Sequence, residues 1–253
     1  MATLKPSQLP RARDLLTKGL FAALLPVFAP LIGAQITGQI IASLARSTLP
    51  QVQQHRQRFI ALANAQYQSM DSTGNIAAPP LRTYTAESWA AALERAWKTT
   101  LDEQAVLTRD DVGKALVTAD HQGRDAERSQ LIAYSMHDDE IAGWARVDFS
   151  PPTCPFCTML ISRGPVYTTA ESAGGREKFH HGDTCTVILV TEANRDSYPG
   201  IEHTRAAEAL YRRASRGSRS SAETVKNLRK LVREQETGPV AAAAGRTVQG
   251  AQK

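Results

Sequence analysis

Apolar residues recur at helical spacing along most of this chain, and the period shortens to two in one stretch, about 146–191. Val52, Phe59, Ile60, Ala63, Tyr67 and Met70 fall at three- and four-residue steps, which predicts a helix over about 51–70 with one stripe turned inward. Ahead of it, Pro26 and Pro30 are expected to kink or break a first helix, and Leu49-Pro50 to end the next, because proline lacks a donor and crowds the preceding turn. Residues 71–84 contain Gly74, Pro79 and Pro80 and read as a linker. Thr85, with Glu87 in the first turn, predicts a helix through Trp89, Leu93 and Trp97; Thr108, followed by Asp110 and Asp111, opens another in the same way. Helix is also expected over 125–134, with Leu131 and Ile132 buried.

From Arg146 the pattern is different. Val147 and Phe149 alternate with charge, Val166 and Tyr167 follow a Gly-Pro, and residues 186–191 are largely β-branched, which predicts a small hairpin or three-stranded patch. Beyond Pro199 helix returns, with Ala206, Leu210 and Tyr211 on one face, then Val225, Leu228 and Leu231 on the next, across a break at 217–221. The run 238–253 has no apolar stripe and is expected to be a disordered tail. The fold class expected is mainly α with a small β element. It divides into a helical N-terminal assembly segment (1–70), an α+β module (85–198) and a basic helical extension (199–237).

Charge sharpens this division. Residues 1–70 carry seven Lys/Arg against one acid, 71–150 eight against fourteen, 151–194 three against four, and 195–253 twelve against six, within a net charge of +5. Basic ends suit either solvated helix faces or contact with nucleic acid, whose phosphates need only clustered cations. The acids of the middle region are expected on outward helical faces, and His137-Asp138-Asp139-Glu140 reads as a solvated turn, since consecutive side chains diverge on a helix. Gly19 to Ala45 is 27 residues without a charge. Pro26, Pro30, Gln35, Thr37 and Gln39 leave its strictly apolar core shorter than a membrane span of roughly 18–20 residues, which favours a buried or self-associating helix over membrane contact or a signal peptide.

The candidate chemistry lies in the α+β module, which holds all three cysteines, Cys154, Cys157 and Cys185, and the pair His180-His181. A Cys-x-x-Cys turn followed 23 residues later by His-His and then Cys supplies donors that a structural zinc ion accepts in a closed tetrahedron. Cys154, Cys157, Cys185 and His181, with His180 as the alternate, form that set; the other readings are a reduced, half-buried cysteine pair or a redox pair. Three cysteines give no disulfide framework and point to a reducing compartment.

The residues Gly143-Trp144-Ala145-Arg146-Val147, Cys154-Pro155-Phe156-Cys157-Thr158-Met159-Leu160, Ser162-Arg163-Gly164-Pro165-Val166-Tyr167 and Phe179-His180-His181 before Cys185 resemble the C-terminal module of tailed-phage minor head proteins. This is the Mu-F-like head morphogenesis family, whose actinobacteriophage members are often labelled capsid maturation proteases. The likeness covers roughly 125–190, with a weaker one at 54–67. The family usually ends its module His-x-x-Cys-x-Cys; here His181 stands four residues before Cys185, and the last cysteine is absent. The resemblance implies a virion protein at the portal vertex or inside the head, acting in assembly, DNA packaging or ejection. It also implies portal and capsid partners, while contact with phage DNA is suggested by the basic ends and self-association by the apolar run 19–45. Protease chemistry has no support in motifs: there is no Gly-x-Ser-x-Gly and no His-Glu-x-x-His. A zinc deaminase would need His-x-Glu, also absent. A zinc-containing DNA-binding module remains as a third reading.

Overall fold

The computed structural model describes residues 8–70, 76–149, 154–168 and 185–237. It is mainly helical with one two-stranded sheet, the fold class expected, and its described residues form two compact units that meet in sequence at Glu140 and Ile141.

The regular elements of the first unit, among the described residues, are helices: α1 (Leu9–Phe28), α2 (Gly38–Gln68), α3 (Ala86–Ala96), α4 (Lys98–Asp102) and α5 (Arg109–His137). Leu20, Leu24 and Phe28 of α1, Ile41, Ala45 and Val52 of α2, Trp89 and Leu93 of α3, and Val112, Ala115 and Ala119 of α5 make one buried cluster. The predicted caps hold. Thr85 accepts from the Ser88 amide, and Thr108 and Asp111 form a reciprocal capping box at the start of α5. The helix expected over 125–134 is the second half of α5. Gly33 lies in the left-handed region (φ +86°), a turn that lets its amide reach the Leu107 carbonyl (2.8 Å) while the Leu107 amide returns to Ala34 (2.9 Å).

The stop expected at Leu49-Pro50 is overturned, while the first helix breaks just ahead of Pro30 as expected. Helix α2 runs through Pro50, and α1 runs through Pro26 before Pro30 enters a 3₁₀ turn at Ala29–Leu31. Pro50 and Arg46, the residue whose carbonyl loses its donor, are both exposed, so water can satisfy that carbonyl. Meanwhile Ala45, Thr48, Val52, His55 and Phe59 keep one buried face continuous across the proline. Tertiary packing outweighs the local penalty.

The second unit contains β1 (Gly143–Val147), α6 (Pro155–Ile161), β2 (Thr186–Val190), α7 (Ile201–Ser215) and α8 (Ser221–Thr237). The strands pair antiparallel, with Gly143 opposite Val190 and Val147 opposite Thr186, and both are buried along their whole length. Of the expected third strand, only a Trp144–Tyr167 bridge is formed. Ala145, Val147, Ile188, Val190 and Tyr198 form the core beside the sheet, and Ala214, Leu228 and Val232 a second cluster between α7 and α8. Gly200 (φ +87°) precedes α7; a Cβ there would stand 2.3 Å from Val147 Cγ1, so only glycine fits.

Candidate functional site

The Cys-x-x-Cys sequence forms the start of a helix. Pro155 occupies the first position of α6, where a missing amide costs nothing, and Cys154 is the N-cap. The Cys157 amide donates to Cys154 Sγ (3.2 Å), while the Thr158 amide (2.8 Å) and hydroxyl (3.0 Å) both donate to the Cys154 carbonyl. Cys154 is exposed and Cys157 buried, and neither is in a disulfide. Cys185 lies just before β2, 1% exposed, and Arg146 of β1 donates from Nη2 to its sulfur (3.3 Å). Tyr167 packs on Trp144 with ring centroids 4.8 Å apart and donates its hydroxyl to the Leu160 carbonyl (2.7 Å), tying the end of α6 to the strand that carries Arg146. Burial raises the Tyr167 phenol above its ordinary range, against the pull of Arg163 and Arg146, so it stays a neutral donor.

His180 and His181 lie outside the described residues. Among the described residues no group of three or more His, Cys, Asp or Glu side chains is arranged to hold a metal ion. The Cys154–Cys157 turn, with an amide donating to sulfur, is chemically suited to present thiolates. Cys185 accepts from Arg146.

The acids behave differently from expectation. Glu87, Glu94, Asp102, Glu103 and Asp110 do face outward, but Asp111, Asp120, Glu127 and Asp138 are buried. Arg13 of α1 clasps Glu127 of α5, with Nη2 donating at 2.6 Å and Nε at 3.0 and 3.1 Å. Two turns earlier on α5, Asp120 accepts from the Thr17 hydroxyl (2.6 Å) and Arg124 Nε (2.6 Å) and meets His55 Nε2 at 3.1 Å. Burial alone would raise the Asp120 carboxyl; the His55 hydrogen bond, the Arg124 charge and the Thr17 hydroxyl outweigh it and bring it down to about 2. The ring of His55 rests edge-on against Phe59 (4.8 Å), and a Cβ on Gly123 would come within 2.5 Å of it, so α2 and α5 approach this closely only because residue 123 is glycine. At the end of α5, Asp138 accepts from the Tyr67 hydroxyl (2.5 Å) and the Glu140 amide (3.0 Å), while exposed His137 lies against the Ala133 carbonyl (2.8 Å). The His-Asp-Asp-Glu run thus diverges as its spacing implied, but it is not the solvated turn expected throughout, because Asp138 is buried as the C-cap of α5. Burial, together with that carboxylate, pushes Tyr67 up to about 12.

The His55–Asp120 pair is not arranged as a nucleophile and base. Thr17 donates to the carboxylate rather than to the imidazole, the reverse of a hydroxyl activated by histidine. This ionic group escaped the sequence reading because its partners are up to 114 residues apart. The available signal was the position of His55 in the buried stripe Val52, His55, Phe59, Ala63 of α2.

Residues 56–214 match the family model described as VG15 protein. The Gene 15 protein of Mycobacterium phage D29 is 43% identical over 84 residues, 32% of this chain and 29% of that protein. The chain therefore aligns with under a third of the curated relative's length. No solved structure matches.

Proposed function

Because the chain belongs to the VG15 family of phage proteins, we propose that it is a minor head protein, sitting at the portal or inside the shell and serving head assembly, DNA packaging or ejection. The observation that carries this reading is that the family match over 56–214 takes in the whole motif-bearing stretch 143–185, whose residues resemble the Mu-F-like head morphogenesis module.

Two surfaces support an assembly role. Helix α1, the turn after it and the start of α2 leave Leu15, Leu25, Ile32 and Ile40 exposed, and residues Leu9–Leu31 are long and apolar enough to cross a membrane, with little of that length buried. That face suits a portal or capsid protein, a second copy of the chain, or a membrane during ejection. In the second unit, Arg205, Arg212, Arg213 and Arg216 of α7 and its end, and Lys226, Arg229, Lys230 and Arg233 of α8, are exposed and suit contact with packaged DNA. A structural zinc ion on Cys154, Cys157, Cys185 and His181 belongs to the same reading, where it would fix the loop that leads from α6 into β2.

Mass spectrometry of purified virions tests the role: the chain is expected in the particle. A chain starting at Gln51 should be lost from assembled heads. Full incorporation of that truncation would move the recruiting surface to α7 and α8, and absence of the intact chain from virions would remove the minor head reading.

A further inference from the structure

Within the helical unit, one side of α2 and the extended run Ala78–Tyr84 enclose a groove of about 630 Å³. Pro50, Gln53, Gln54, Gln57 and Ile60 line it at three- and four-residue steps, which is one face of the helix. The opposite wall is pinned by side-chain amides: Gln53 Nε2 donates to the Tyr84 carbonyl (3.0 Å) and Gln130 Nε2 to the Pro79 carbonyl (3.2 Å). The groove is thus built by hydrogen bonds between helices and an extended segment.

Its chemistry is one-sided. Among the described residues, the charged ones that line it are Arg56 and Arg82, and no carboxylate does, although residues 71–150 carry more acids than bases. Arg56 lies over the Tyr84 ring, 4.5 Å from its centroid, and donates to the Gln122 carbonyl (2.9 Å), so its guanidinium is fixed in place. The Tyr84 hydroxyl is buried and has no hydrogen-bond partner among the described residues. Burial raises this phenol out of its ordinary range, which keeps it a neutral donor. A buried donor without a partner carries a desolvation cost that a ligand acceptor would remove.

We propose that this groove is a docking site for an extended, acidic polypeptide segment of a partner protein. Arg82 and the Tyr84 hydroxyl would take a carboxylate, and the exposed amides of Gln54 and Gln57 each offer the donor and acceptor that a peptide backbone requires. A nucleic acid strand fits less well, because the face of Tyr84, the one aromatic residue among the described residues lining the groove, is already covered by Arg56 and offers no stacking platform. The volume is that of a small ligand site, enough for a few residues of extended chain. The site stands on its own chemistry and does not require the virion role.

The test is selection of a displayed random linear peptide library on the full-length chain. Acid-rich peptides are expected to enrich, and their affinity should fall about tenfold on Arg82→Gln and on Gln57→Ala. Both side chains are exposed, so both variants should melt with the parent protein, which separates lost binding from lost fold. Failure to enrich acidic peptides, or peptides that bind the Arg82→Gln protein equally well, would overturn the proposal. So would binding of oligothymidylate or inorganic phosphate that depends on Arg82 when no peptide binds.

Discussion

In the helical unit Glu127 is buried against Arg13, and Asp120 against His55, Arg124 and Thr17, each partner arriving from α1, α2 or the next turn of α5. In the second unit the buried reactive atoms are sulfurs: Cys157 sits behind the Cys154 turn, and Cys185 against Arg146. The contrast lies in what completes each group. The carboxylates find charge and hydrogen bonds within their own unit, so their network specifies how three helices register and calls for no further ligand. The thiols stand at the two ends of a segment that carries His180 and His181, so a metal would close the set from residues near in sequence. The first unit should accordingly be indifferent to chelators and sensitive to charge, and the second the opposite.

Cys154→Ser gives the largest expected break in that comparison. Serine is a preferred N-cap, so as a cap alone the substitution would leave α6 unharmed or slightly better held. If the sulfur binds zinc, metal analysis should fall from about one ion per chain toward none, and the second unit should unfold on its own at lower temperature, because binding energy in such sites is folding energy. A parent protein purified without chelator that carries far less than one zinc would end the metal reading.

Glu127→Ala addresses the other unit. It leaves the Arg13 guanidinium buried without its carboxylate, and breaking such a pair costs about 3–5 kcal/mol. Urea denaturation should show that loss, whereas Arg13→Met with Glu127→Leu should recover most of it. A loss below about 1 kcal/mol, typical of exposed pairs, would mean that water reaches the clasp.

How far each region could be read from sequence follows the range of the forces involved. The caps at Thr85 and Thr108 were legible because a cap is chemistry among four consecutive residues. The change of period near Arg146 was legible because alternation marks a strand buried on one face, although β1 and β2 proved buried on both. Pro50 misled, since the buried stripe on either side of it is a property of the packed unit. Glu127 and Asp120 misled for the same reason: on α5 they look like ordinary outward acids until Arg13 and His55 arrive from distant helices. The Cys-x-x-Cys turn was legible in type, and its place at the head of α6, instead of between two strands, was set by Pro155 at the first helical position.

Acid sharpens the comparison by a smaller amount, through Asp120. Its carboxyl titrates at about 2 in the folded chain against 3.8 for an unperturbed aspartate. A depressed folded value means that the ionised form is favoured by folding, so the stabilisation is complete above the unfolded value and is lost as pH falls through the folded one. The difference corresponds to about 2 kcal/mol, lost between roughly pH 5 and pH 2. Asp111, capped by Thr108 and bonded to Lys114, is held to about 2 as well, so the parent protein alone would report both groups. The informative quantity is the stability difference between the parent and Asp120→Asn, followed by urea denaturation across that range. The difference should shrink by about 2 kcal/mol toward low pH, with the signal carried by the helical unit and not by residues beyond Ile141. A difference that stays constant from pH 5 to pH 2 would show that His55, Thr17 and Arg124 hold Asp120 by packing and hydrogen bonds that do not depend on its charge.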